Sequence, residues 1–266
     1  MDNSFRDDIR QIGVVTRYET VKHIRSRRML VFSGVAALIF VLTTALLFVV
    51  GDGPNSDPRL FMADYVGNMF VIIGVSLFFA PAIASEFEDR TALLMFPRPM
   101  KKSSLFTGKV FACYIVCGAI IAVYYAVCML FCILYTGGLD ITAFASLGFA
   151  LLFMMAAGGF ALLVSSIVSK SSIAVVITIA TLLLVFHLID NMFFMAHIEP
   201  VFSLTYASYD IFNVIQGDVT TIIDLPAFGI NIAQYWPAHW LSITVMTVWF
   251  LVTTVLAALI FRRREF

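Results

Sequence analysis

The chain has 266 residues, 61% of them hydrophobic and 13% charged, with seventeen basic side chains balanced by seventeen acidic ones. Soluble domains carry about one quarter charged residues, so this composition excludes an ordinary water-soluble enzyme and points to the bilayer as solvent. All four cysteines fall within one apolar run, which excludes the disulfide framework of a small secreted domain.

Residues 1–28 hold seven Lys and Arg. Val14, Tyr18 and Val21 recur there at helical spacing, while Arg17, Lys22, Arg25, Arg27 and Arg28 supply a basic face. The pattern predicts an amphipathic helix on the membrane surface; the plainer reading is a positive flank to the first span. Six apolar stretches follow at 29–50, 64–84, 110–136, 143–168, 173–196 and 240–261, each free of Lys and Arg. Each is near the roughly 20 residues that carry a helix across a core of about 30 Å. The first is expected to be a retained span, because mostly polar residues precede it and no small-residue cleavage site follows. The expected fold is an all-α integral membrane protein with six transmembrane helices, in one domain over 1–266. A barrel would show short alternating strands instead of long apolar runs.

Sixteen of the seventeen Lys and Arg lie in 1–28, 85–109, 169–172 and 262–266, against Arg59 alone in 51–63, 137–142 and 197–239. Excess positive charge marks the cytoplasmic side. Both termini are therefore expected in the cytoplasm, with the protein in a plasma or inner membrane.

The loop 85–109 reads SEFEDRTALLMFPRPMKKSSLFTGK. Acidic Glu86, Glu88 and Asp89 lead into a short apolar run, 91–96, which Pro97 and Pro99 stop because proline cannot continue the hydrogen-bond ladder. Ser103 or Ser104 is expected to cap the following helix. A loop that only joined two spans would need a few polar residues, so this one reads as a docking element for a cytoplasmic partner.

The order of residues in that loop resembles the signature loop of type-2 ABC-transporter permeases. The match lies at Glu86 or Glu88, Thr91, Leu93 and Leu94, Pro97, Lys101 or Lys102, and Lys109, with Pro99 beside it; it departs at Arg90, where the family usually has Gly. An elbow helix before the first span, the small-residue and Ser-rich stretch 158–174, and a broken outer hairpin before the sixth helix are similar to the same family. The resemblance implies a permease subunit of an ATP-driven exporter, which dimerises with a second copy or paralogue to form the path. ATP and Mg would sit on a separate ATPase subunit into which the loop helix inserts. The sequence agrees in having no phosphate-binding Gly-x-x-x-x-Gly-Lys-Ser/Thr loop, so no cofactor and no catalytic centre are expected on this chain. No nucleic-acid partner is expected.

Other features have weaker claims. Cys113, Cys117, Cys128 and Cys132 share a helical face and suit a soft-metal relay, or serve as small buried hydrophobes. His187, Asp190 and Asn191 in the fifth span read as a pathway or gate lining, or as a helix end that water reaches, with His187 bonding Asp190 one turn away. The segment 197–239 is aromatic yet interrupted by proline and glycine, which predicts short helices dipping into the outer interface. Two other function classes stay open: an ion-gradient-driven secondary transporter, and a membrane assembly or sensory protein without transport.

Overall fold

A computed structural model describes residues 2–50, 53–88, 102–217, 221–225 and 230–263. Hydrocarbon offers the backbone no hydrogen-bond partners, so a chain this apolar satisfies its peptide groups within helices. Six helices among the described residues are long and apolar enough to span a membrane. Around them α1 (Asp2–Ile24) precedes the first span, α2 (Arg27–Val50), after a turn in which Ser26 Oγ donates to the His23 carbonyl at 2.7 Å.

The second span is not one helix. It runs as α3 (Pro58–Tyr65), α4 (Asn68–Phe78) and α5 (Pro81–Glu88). Asp57 caps α3 by accepting from the Arg59 amide, and Pro58 occupies the first turn, where a missing N–H costs nothing. Pro81 forces the second break, and the amides of Ile83 and Ala84 turn to the Ser165 hydroxyl, both at 3.0 Å. The uniform hydropathy of 64–84 concealed both interruptions.

The third span, α6 (Lys102–Thr136), has 35 residues, roughly 50 Å at 1.5 Å per residue, so it projects beyond a bilayer core. Ser103 and Ser104 lie inside its first turns instead of ahead of it, a correction to their expected capping role. Next come α7 (Thr142–Ile167) and α8, Ser171–Met195, which contains a π-helical turn at Thr181–Val185. Two short helices, α9 (Leu204–Ser208) and α10 (Asp210–Gln216), lead to a two-stranded antiparallel ribbon. Its strands are β1 (Thr221–Leu225) and β2 (Ile230–Gln234), with Thr221 opposite Gln234. The short helices agree with the sequence reading, while the ribbon was not foreseen. The last span is α11 (His239–Arg263).

The core centres on α7, which packs against α4, α6, α10 and, most extensively, α11. Gly158 and Gly159 make this possible: a Cβ at Gly158 would stand 2.8 Å from the Phe79 ring, and one at Gly159 would stand 2.5 Å from Thr253 Oγ1. By contrast α2 is anchored mainly by Phe32, which stacks on Phe70 at 4.8 Å over Gly74, and by the Thr44–Tyr65 hydroxyl pair at 3.0 Å. The Phe261 ring meets Phe106 at 5.6 Å and Val15 lies against Gly108, so both ends of the chain gather at the start of α6. This is the basic end. Arg59 lies at the opposite end, paired with Asp140 at 2.8 Å.

Candidate functional site

Val15, Glu19 and His23 follow one another at four-residue spacing along α1, and all three are buried. That face lies on the first turns of α6. Gly108 permits the approach, since a Cβ there would stand 2.7 Å from Val15 Cγ1, and Thr16 Oγ1 donates to the Gly108 carbonyl at 3.2 Å. One turn on, Lys109 Nζ lies 2.7 Å from Glu19 Oε1 and 2.7 Å from Glu86 Oε1, with all three side chains at most 5% exposed. Taking a charge out of water costs several kcal/mol, so the group is tolerable only because the ammonium sits between two carboxylates at hydrogen-bond distance. Lys22, 3.8 Å from the other oxygen of Glu19, adds a second cation at the surface.

His23 closes the row. Its ring meets Phe78 edge-on at 5.7 Å, and Nε2 lies 3.7 Å from Cys113 Sγ. Burial pushes its pKa down to about 4 against an opposing pull from Glu19, with Lys109, Lys22 and Arg28 lowering it further. The imidazole is therefore neutral at ordinary pH.

The end of α5 is fastened on its other sides as well. Glu88 accepts from both the amide and the hydroxyl of Ser171, at the N-terminus of α8, where a carboxylate also suits the helix dipole. Ser165 of α7 satisfies the α5 amides. The chain thus leaves α5 for segment 89–101 from a point tied to α1, α6, α7 and α8.

Of the loop residues singled out in the sequence, Glu86, Glu88 and Lys109 belong to this anchorage, and Lys102 opens α6. Arg90, Thr91, Leu93, Leu94, Pro97, Pro99 and Lys101 lie outside the described residues. On α1 and its turn, Arg17, Tyr18, Lys22, Arg25 and Arg27 are exposed and Arg28 is half-buried. Val14 and Val21 are exposed too, so the apolar stripe points away from the bundle. Sequence reading found that stripe and missed the opposite one, because Glu19 and His23 read as polar. The four-residue spacing of Val15, Glu19 and His23 was the available signal.

At the opposite end Asp190 corrects an expectation. It is fully buried rather than wetted, because α9 folds back over the end of α8: Thr205 Oγ1 donates to Asp190 Oδ2 at 2.5 Å. Asp190 Oδ1 has no hydrogen-bond partner among the described residues. His187 does not bond Asp190; its Nδ1 lies 3.2 Å from the Leu182 carbonyl, within the π-helical turn. Asn191 is exposed. Nearby in the chain, His239 Nδ1 lies 2.6 Å from Asp210 Oδ1, and Asn213 Nδ2 donates to the Pro237 carbonyl at 3.2 Å, which fixes α10 to the head of α11. Burial raises the Asp210 carboxyl above the ordinary range, and His239 draws it partly back.

The four cysteines are all buried. Cys113 faces His23 and the Phe78 carbonyl, Cys117 the Gly74 turn, and Cys132 the Pro58 and Gly138 carbonyls. Compared with models of known protein families the chain matches none, and a comparison with curated proteins finds no match either.

Proposed function

We propose that the chain is the transmembrane permease subunit of an ATP-driven ABC exporter, working as a dimer with a separate ATPase that engages segment 89–101. The observation that carries this reading is the buried Glu19–Lys109–Glu86 group at the foot of that segment. Because the end of α5 is tied to α1 and to three spans, a push delivered to segment 89–101 by a soluble partner would pass into the membrane part. The uneven distribution of basic residues supports a cytoplasmic position for this end. ATP-bound and free states of the partner would shift the permease only through their different contacts with the loop.

The test is purification in mild detergent from the native membrane, with Leu93 and Leu94 changed to Asp as the loop variant. Co-purification of an ATPase with the natural chain and its loss from the variant supports the reading. Absence of any ATPase under conditions that keep other transporter complexes whole overturns it.

The buried Asp190, with one carboxyl oxygen unpartnered, favours a second reading as an ion-gradient-driven transporter, since ionisable groups at membrane depth often carry coupling ions. Transport in proteoliposomes separates the two. Transport by the natural chain that requires ATP and the ATPase, ignores an imposed ion gradient and survives Asp190→Asn leaves only the exporter.

A further inference from the structure

A cavity of about 290 Å³ lies at the basic end where α1 turns into α2. Its wall is formed by Lys22, Arg27 and Arg28 with Ser26 on one side, and by Ser85 of α5 and Lys109 of α6 on the other. Glu19 also lines it, but that carboxylate is engaged by Lys109 and Lys22. Two of the three ammonium protons of Lys109 go to Glu19 and Glu86, which leaves the third as a donor from a nearly buried cation. Arg27 and Arg28 have no ion-pair partner among the described residues; Glu88 is close enough to Arg28 to feel its charge without bonding it. The neutral ring of His23 completes the wall without adding charge.

A cavity with two unneutralised guanidiniums, a spare ammonium proton and the Ser85 hydroxyl (the Ser26 hydroxyl is spent on the His23 carbonyl) lacks only an acceptor with several oxygens and negative charge. Guanidinium forks and ammonium groups match phosphate oxygens in geometry as well as charge. Its position decides the source. Arg27 opens the first span, so the cavity sits at the level where lipid phosphates meet the hydrocarbon. We propose that this cavity binds a phosphate group, filled in the membrane by the headgroup of an anionic lipid from the adjoining leaflet. The occupant bridges α1, α2, α5 and α6, so it stabilises the same corner that the buried ion group holds from within. This site is independent of the exporter reading.

The experiment titrates the purified full chain in a zwitterionic detergent and follows its thermal unfolding. The probes are dioctanoyl phosphatidylglycerol, dioctanoyl phosphatidylcholine and inorganic phosphate. Phosphatidylglycerol is expected to raise Tm saturably and phosphatidylcholine to leave it unchanged. R27Q/R28Q should lose the rise, whereas R17Q/R262Q, which removes two basic groups from outside the cavity at the same end, should keep it. Lys22 is half-exposed and its loss threatens folding least, so K22Q, expected to shift the titration midpoint by roughly tenfold, serves where the double variant unfolds. An arginine-dependent rise with phosphatidylglycerol alone identifies the lipid headgroup; an equal rise with inorganic phosphate identifies a free phosphate compound at the same site. A rise that survives in R27Q/R28Q, a titration midpoint unchanged in K22Q, or no rise with either phosphate probe, overturns the site.

Discussion

Lys109 and Glu19, ninety residues apart in the chain, hold their charged atoms 2.7 Å apart inside the protein, and Glu86 reaches the same ammonium from the other side. Removing the cation alone should be far worse than removing the whole group. Lys109→Met removes the buried cation that Glu19 and Glu86 share, leaving Glu19 only the surface ammonium of Lys22 at 3.8 Å, and is expected to cost about 3–5 kcal/mol. The triple variant K109M/E19Q/E86Q should recover most of that loss. Thermal unfolding in detergent compares them; a triple variant no better than the single one would show that packing, not charge, holds α1 to α6.

His23 gives stability a definite pH dependence. Its folded pKa is about 4 against 6.5 in the unfolded chain, so the folded state refuses a proton that the unfolded state takes up. Stability from this residue is therefore present above about pH 6.5 and is lost as pH falls toward 4, by up to about 3 kcal/mol. H23Q should flatten that part of the curve. Equal slopes for the two proteins between pH 6.5 and 4 would refute the assignment.

Ser165 holds the foot of the second span together from another helix. Ser165→Ala strands the amides of Ile83 and Ala84 away from water and is expected to cost roughly 1–3 kcal/mol. Hydrogen exchange should quicken at those two amides before the rest of α4 and α5. Unchanged exchange there would mean that the break at Pro81 finds other partners.

Gly159 sets the distance between α7 and α11. A Cβ there would stand 2.5 Å from Thr253 Oγ1, 2.9 Å from Thr254 Oγ1 and 3.3 Å from the Phe250 carbonyl. Gly159→Leu should overpack this contact by about 1–3 kcal/mol or more, whereas Gly148→Leu on the same helix meets open space and should be near neutral. Comparable losses in both variants would mean that helix propensity or membrane insertion, and not the close contact, sets the result.

The chain's own order of residues determined that this is a six-span helical membrane protein, because long runs without charge leave a backbone no other way to satisfy itself in lipid. It also determined which end gathers the basic residues, and it marked Glu86 and Lys109 as members of one informative loop. Tertiary structure alone decided what those two residues do. Their partner Glu19 comes from the first helix, and no local pattern predicts a pairing across ninety positions. The same holds for Asp190: its height along the fifth span suggested water, but α9 folds back and seals it with Thr205. Hydropathy reports how a segment partitions between water and lipid. Which side chain meets which inside the bundle depends on close packing, on breaks such as Pro81 and on glycines such as Gly108 and Gly159 that let helices touch.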